Sequence, residues 1–224
     1  MLLGDVFPDF EAETSIGKLK FWDWSRGSWT ILFSHPADYT PVCTTELARV
    51  AKLTGEFAAR NIKVIALSID SAESHLGWIK DIKKYGGLDE SADFPFPIIA
   101  DENRQLATQF GMLDPNEISA KTGLPLTART VFVIDQDHKL RLSLLYPATT
   151  GRSFDEILRA VDSLLLTEKF KVATPADWKV GDKCMVQPSV PDADLATLFP
   201  NGVERVEVPS GKGYIRLTPQ PDAK

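Results

Sequence analysis

Six consecutive residues, Trp29 to Ser34 (WTILFS), form an almost unbroken apolar run, which predicts a strand covered on both faces. The period then changes. Leu47, Val50, Ala51, Thr54, Phe57 and Ala58 recur at helical spacing, so an amphipathic helix follows the strand. Lys63 to Ile69 (KVIALSI) predicts a second strand, and Ala72 to Tyr85 a second helix, stopped by Gly86 and Gly87. This order builds a βαβ unit and with it a mostly parallel sheet. Pro97 to Ala100 and Thr130 to Ile134 add strands. The polar turn Asp135-Gln136-Asp137-His138 then returns the chain through Leu140 to Leu145, most simply as a hairpin. Ser153 and Glu156 are spaced as a capping box ahead of Phe154, Ile157, Leu158, Val161, Leu164 and Leu165, and this long helix closes the domain near Phe170.

Beyond Phe170 the pattern weakens. Lys171 to Trp178 reads as a linker, because the Thr174-Pro175 step disfavours continued helix. Pro188, Pro191, Pro200, Pro209 and Pro219 punctuate the remaining residues, with short apolar runs at Cys184 to Val186, Val203 to Val208 and Tyr214 to Leu217. The expected organisation is an α/β domain over residues 1–170 and a small, strand-rich appendage over 171–224. So short an appendage buries little apolar surface alone and needs a surface to pack on.

Composition narrows the function classes. At 224 residues, 43% hydrophobic and 25% charged, the chain is an ordinary globular one, and no apolar run exceeds four residues, far short of the roughly 20 that span a bilayer. The first residues carry neither a basic nor an apolar signal segment, so a cytoplasmic protein is expected. A net charge of −6 offers little to a phosphate backbone, which argues against nucleic acid as a partner. The two cysteines, Cys43 and Cys184, are too few for a disulfide framework and lack the paired spacing of a zinc site. His75 and His138 have no motif context either, so no metal and no cofactor are expected.

The chemistry concentrates between the first strand and its helix, in Ser34-His35-Pro36-Ala37-Asp38-Tyr39-Thr40-Pro41-Val42-Cys43-Thr44-Thr45-Glu46. Thr40 suits an N-cap and Pro41 the first helical position, which puts Cys43 in the first turn. A sulfur there faces the unpaired N–H groups and the positive end of the helix, an arrangement that favours thiolate over thiol and makes Cys43 a candidate nucleophile. A strand, a loop and a proline-capped helix with an early cysteine resemble the thioredoxin fold, yet Glu46 stands where the second cysteine of a C-x-x-C pair would be, which disfavours dithiol exchange. One thiolate acting alone can attack a peroxide and become a sulfenic acid.

Pro36-x-x-x-Thr40-x-x-Cys43 resembles the peroxiredoxin signature, and the fuller string SHPADYTPVCTTELAR is similar to that of the one-cysteine, peroxiredoxin-6-like subfamily. The likeness continues through Thr127-Ala128-Arg129-Thr130, Tyr146 to Arg152 and Pro209 to Tyr214. It implies a thioredoxin-like core with a mixed central sheet flanked by helices, and a C-terminal domain used in homodimerisation. It also implies reduction of hydrogen peroxide and of organic or phospholipid hydroperoxides. By the same resemblance Cys43 is the peroxidatic nucleophile, Arg129 stabilises thiolate and peroxide, the Thr40 hydroxyl donates to one of them, and Pro36 shields the sulfur from water. Glu46 ties Arg129 and Arg152 into one network, and His35 stands beside the pocket. The sulfenic acid is then reduced by an external thiol, for instance glutathione with a glutathione transferase, because Cys184 lies in a strand-like run and lacks the setting of a resolving cysteine. Two rival functions remain open at this level. A serine-dependent phospholipase A2 would use Ser28 and Asp137, but the family's histidine position is Trp22 and the glycines of G-x-S-x-G are replaced by Arg26 and Thr30. A peroxide sensor or chaperone would use the same Cys43 without turnover.

Overall fold

The computed structural model describes residues 1–221, and packing divides the chain between Phe154 and Asp155. The first unit begins with a hairpin, β1 (Glu11–Thr14) and β2 (Gly17–Lys20), and a single turn of helix, α1 (Phe21–Ser25). The predicted strand–helix–strand–helix run continues as β3 (Trp29–Ser34), α2 (Pro41–Lys52), α3 (Thr54–Ala59), β4 (Ile62–Ser68) and α4 (Ala72–Gly86). Next come β5 (Ile98–Ala100), α5 (Gln105–Gln109), the pair β6 (Leu113–Ile118) and β7 (Pro125–Thr127), and the hairpin β8 (Arg129–Ile134) and β9 (Leu140–Tyr146).

Seven of these strands form one mixed sheet in the order β2-β1-β5-β4-β3-β8-β9. β3, β4 and β5 run parallel, while β8 joins β3 antiparallel and β9 returns along β8. All six residues of β3 are buried, as a central strand covered on both faces requires. On one face Leu32, Ile65, Leu67 and Phe132 pack with Phe7, Phe21 and Phe110. Phe33, pointing the other way, meets Phe96 and Phe154 edge-on.

Two local features differ from the sequence expectation. The helix expected through Ala58 breaks at Leu53, where the Thr54 hydroxyl donates to the Ala51 carbonyl at 2.7 Å and Leu53 adopts ψ 2°. Its apolar stripe continues across the break, so periodicity alone does not reveal it. The β1–β2 hairpin and the β6–β7 pair are additions to the expected elements. In the former the turn rests on Gly17 at φ 97°, a conformation that glycine alone adopts freely.

The predicted closing helix, α6 (Phe154–Lys169), starts at this division and belongs to the second unit from Asp155 onward. A four-stranded antiparallel sheet comes next, in the order β10 (Val172–Ala173), β11 (Cys184–Val186), β13 (Arg216–Thr218), β12 (Glu204–Arg205), with the short helix α7 (Leu195–Leu198) between β11 and β12. Leu166, Val172, Trp178, Cys184, Val186, Val190 and Phe199 form a core of its own. The helix therefore packs with the segment after it, although it ends where the sequence pattern changes. Arg216 pins the irregular stretch by donating to the carbonyls of Val190 and Gln187, each at 2.8 Å.

Among the described residues no helix is long and apolar enough to cross a membrane.

Candidate active site around Cys43

β3 delivers the chain to a loop at its C-terminal end, and the loop feeds directly into α2. Thr40 takes the extended N-cap conformation (φ −114°, ψ 146°) and Pro41 the first helical position, so Cys43 lies in the first turn, with its side chain fully buried. The capping differs from the expectation in one respect. The Thr40 hydroxyl makes no cap bond and donates instead to the Ala37 carbonyl at 2.9 Å, while the Thr40 carbonyl accepts from the Thr44 amide and hydroxyl at 3.0 and 2.8 Å. Pro36 is buried in the bend of the same loop. Tyr39 turns the chain at φ 54°, strained for a side-chain-bearing residue, and its hydroxyl lies so close to Gly77 that a Cβ there would collide with it.

Arg129, at the start of β8, reaches the sulfur. Its Nη1 lies 3.4 Å from Cys43 Sγ and 2.6 Å from Glu46 Oε2, and Nε and Nη2 donate to the Ala148 carbonyl at 2.9 and 2.6 Å. Glu46, one turn after Cys43, is also clasped by Arg152: the Arg152 amide and Nε donate to Oε1 at 2.8 and 2.9 Å, and Nη2 to Oε2 at 2.8 Å. The remaining Arg152 nitrogen, Nη1, donates to the Thr130 carbonyl at 2.8 Å, and the guanidinium lies over the rings of Phe33 and Phe154. Burial pushes the Glu46 carboxyl upward, but the hydrogen bonds and charge of Arg152, with a smaller contribution from Arg129, prevail and hold it below the usual value. Two guanidinium groups against one carboxylate leave the cluster with a net positive charge beside the sulfur.

His35 is fully buried and belongs to a second network. Its Nε2 lies 3.1 Å from Asp38 Oδ1, while Asp38 Oδ2 meets His75 Nδ1 at 2.7 Å and the Ser74 hydroxyl at 2.8 Å. Burial works against the Asp38 charge, yet the bonds from His35 and His75 outweigh it and hold the carboxyl far below its usual range. Asp70 completes the network, accepting from the Asp38 amide and from the Ser68 hydroxyl. His35, Asp38 and Asp70 offer ligand atoms within 4.8 Å of one another, but both Asp38 oxygens are already taken by hydrogen-bond partners, so we read a hydrogen-bonded cluster here. Trp78 links this network to the sulfur's helix: its ring packs on His35 at 5.1 Å, and its Nε1 donates to the hydroxyl of Thr44, the residue after Cys43.

The structure thus joins Cys43, Glu46, Arg129 and Arg152 in one bonded cluster and His35 in an adjoining one. Sequence reasoning missed Asp38 and His75 and the Ala148 carbonyl. The His35-x-x-Asp38 spacing was a usable signal for Asp38, but a backbone carbonyl leaves none. The alternative serine constellation is not assembled. Ser28 is buried and donates to Asn61 at 3.2 Å, Asp137 uses its amide on Asp135, and Trp22 stacks flat on His138 at 4.8 Å. Both cysteines are free; Cys184 lies in the core of the second unit, where burial pushes its thiol up.

Comparison with known proteins finds relatives over nearly the whole chain. The AhpC/TSA family matches residues 3–143, and the C-terminal domain of 1-Cys peroxiredoxin matches residues 163–200. Peroxiredoxin-6 of Bos taurus is 60% identical over 221 residues, covering 99% of this chain and 98% of the relative, and Peroxiredoxin-6 of Homo sapiens matches to the same extent. Among solved structures, a cysteine-to-serine mutant of the Peroxiredoxin 6 of Arenicola Marina superposes with a TM-score of 0.96 at 58% identity over the full length of both chains. The yeast mitochondrial 1-Cys peroxiredoxin, solved to explain thiol resolution via glutathione/thioredoxin systems, gives 0.86 at 40% identity, covering 98% of this chain and 99% of the other.

Proposed function

The chain belongs to the AhpC/TSA family, among its one-cysteine peroxiredoxins, and is a thiol-dependent peroxidase; from that premise we propose that Cys43 is its single peroxidatic centre, served by Arg129, Glu46 and Arg152. The Cys43 thiolate attacks one oxygen of a hydroperoxide. A sulfur–oxygen bond forms as the oxygen–oxygen bond breaks, the leaving oxygen takes a proton and departs as water or an alcohol, and the sulfur, oxidised by two electrons, becomes a sulfenic acid. The observation that carries this reading is the Arg129 Nη1 donor 3.4 Å from a sulfur in the first turn of α2. That donor is positioned to follow the negative charge as it moves from sulfur onto the departing oxygen. Glu46 and Arg152 hold the guanidinium in place, and the buried Pro36 keeps water away. Thr40, the residue that opens α2, is assigned the hydroxyl that donates to thiolate or peroxide, a role for which it must leave its bond to Ala37.

An external thiol of the glutathione or thioredoxin class returns the sulfenic acid to thiol. The likeness to the yeast enzyme supports this, as does the burial of Cys184. Two free cysteines fit a reducing, cytoplasmic setting. A homodimer is supported by the edge position of β9, where Leu145 is two-thirds exposed. The Ser28 hydroxyl is bonded to Asn61 and the family's histidine position is Trp22, which gives the phospholipase reading no activated serine.

One equivalent of hydrogen peroxide, added with a sulfenic-acid trap, is expected to label Cys43 alone by peptide mass spectrometry. A Cys43–Cys184 disulfide as the main product would overturn the one-cysteine cycle. Cys184→Ser is expected to leave steady-state peroxide consumption with excess thiol within about twofold of wild type, since a buried cysteine outside the cycle acts only as a small core residue.

A further inference from the structure

We propose that the first unit carries a second binding site, a cavity between α3, the start of β4 and residues 94–97, which takes a small aromatic carboxylate: its ring among Trp24, Phe57, Phe94 and Phe96, its carboxylate on Lys63. The inference stands apart from the peroxidase reading and does not depend on it.

The cavity holds about 390 Å³, within the range of small-molecule sites. It flanks the N-terminal ends of β3 and β4, where Lys63 pairs with Thr30, whereas Cys43 follows the loop at the C-terminal end of β3. The two sites therefore lie at opposite ends of the same strand. Most of the wall is apolar. Phe57, Val64 and Phe96 are buried, while Trp24 and Phe94 are partly exposed. Phe96 is fixed by Phe33, which it meets edge-on, and Phe94 tilts against Phe96 with the ring centroids 4.6 Å apart. Rings arranged in this way present faces and edges to a further ring, a pairing that adds to the gain from buried area alone.

One charged side chain lines the cavity, that of Lys63, and among the described residues no carboxylate does so. Its ammonium is part-buried, donates to the Trp24 carbonyl and lies 5.5 Å from the centre of the Trp24 ring. Among the described residues it pairs with no carboxylate. An ammonium has three donors, so two hydrogens and the charge remain to be met. A cation held among apolar groups is costly unless an anion accompanies it, and a ligand carboxylate would supply that anion together with two acceptor oxygens. A second negative charge on the ligand would find no partner in the wall. The lining thus selects one ring system and one carboxylate.

Calorimetric titration and amide NMR of the full-length protein, with 2-naphthoate, 2-naphthamide and decanoate as probes, test the site. Wild type is expected to bind 2-naphthoate with a dissociation constant below about 1 mM and to show shifted amides at Phe57, Val64 and Phe94. Sulfenic acid formation at saturating 2-naphthoate should stay within about twofold, because the cavity and the sulfur occupy different ends of β3. 2-Naphthamide keeps the ring without the charge and is expected to bind at least about tenfold more weakly, the loss of a hydrogen bond between charged groups. In Lys63→Met the two should bind within about twofold of each other, since only the ammonium distinguishes them. Equal affinities in wild type would overturn the proposal, as would a carboxylate preference that survives in Lys63→Met. The NMR map needs no variant: shifts clustered around Cys43, or anywhere away from the cavity, overturn it too. Tighter binding of decanoate than of 2-naphthoate would make the cavity an acyl-chain site and reject the aromatic ligand, and no saturable binding of 2-naphthoate up to about 10 mM would reject the site altogether.

Discussion

Arg129→Met is expected to slow sulfenic acid formation by about 10²- to 10³-fold, the usual loss when a preorganised donor to developing charge is removed. The guanidinium does three things at once: it donates to Cys43 Sγ at 3.4 Å, pairs with Glu46 at 2.6 Å and anchors itself twice on the Ala148 carbonyl. Methionine keeps the bulk and loses all three. Arg129→Lys separates charge from geometry, because an ammonium cannot span the carbonyl, the carboxylate and the sulfur with a rigid fork. If orientation dominates, lysine recovers less than about a tenth of the lost rate. If charge alone suffices, it recovers most of it. Stopped-flow mixing with hydrogen peroxide, read as the second-order rate constant, distinguishes the outcomes, and a methionine variant within about fivefold of wild type would refute the assigned role.

Glu46→Ala carries the largest expected stability effect. The carboxylate is 3% exposed and sits between two buried guanidinium groups; without it, Arg152 loses three hydrogen bonds and both charges repel each other across a cavity. Stranding a buried charge costs about 3–5 kcal/mol, which urea unfolding would read as a lower midpoint at similar slope. Glu46→Gln tests the electrostatic part alone. The folded carboxyl is held below its ordinary value of 4.5, so its contribution to stability is present above that value and is lost as pH falls through the folded one. Glutamine cannot titrate, so the variant is expected to lose less stability than wild type as the pH falls below about 4.5. Parallel stability curves for the two proteins would show that Glu46 is not the linked group.

The strands and helices whose pattern is local were legible from the order of residues alone. β3 is bounded as its apolar run implied, the β8–β9 hairpin turns where four polar residues interrupt it, and β11 coincides with the run around Cys184. That order also placed Cys43 in the first turn of a proline-started helix, because capping and backbone preferences act within a few residues. Resemblance then named Arg129 and Arg152 as partners, although no local pattern distinguishes them from other arginines.

Other features depend on groups far apart in the chain or on competition between neighbours, and they emerge only in the folded molecule. The break at Leu53 turned on a side-chain hydroxyl competing for a helical carbonyl, against an uninterrupted apolar stripe. The Thr40 hydroxyl bonds the Ala37 carbonyl and makes no cap bond to its own helix. Ala148 became part of the site because β9 returns along β8 and brings a backbone oxygen to Arg129, a contribution that no side chain records. Asp38 and His75 lie 37 positions apart and meet only because β3 and β4 are parallel neighbours, which brings the loops after them to the same end of the sheet. Local physics sets which residues are able to react. Sheet order sets which of them meet, because a pairing across the sheet depends on the whole topology and leaves no period in the sequence.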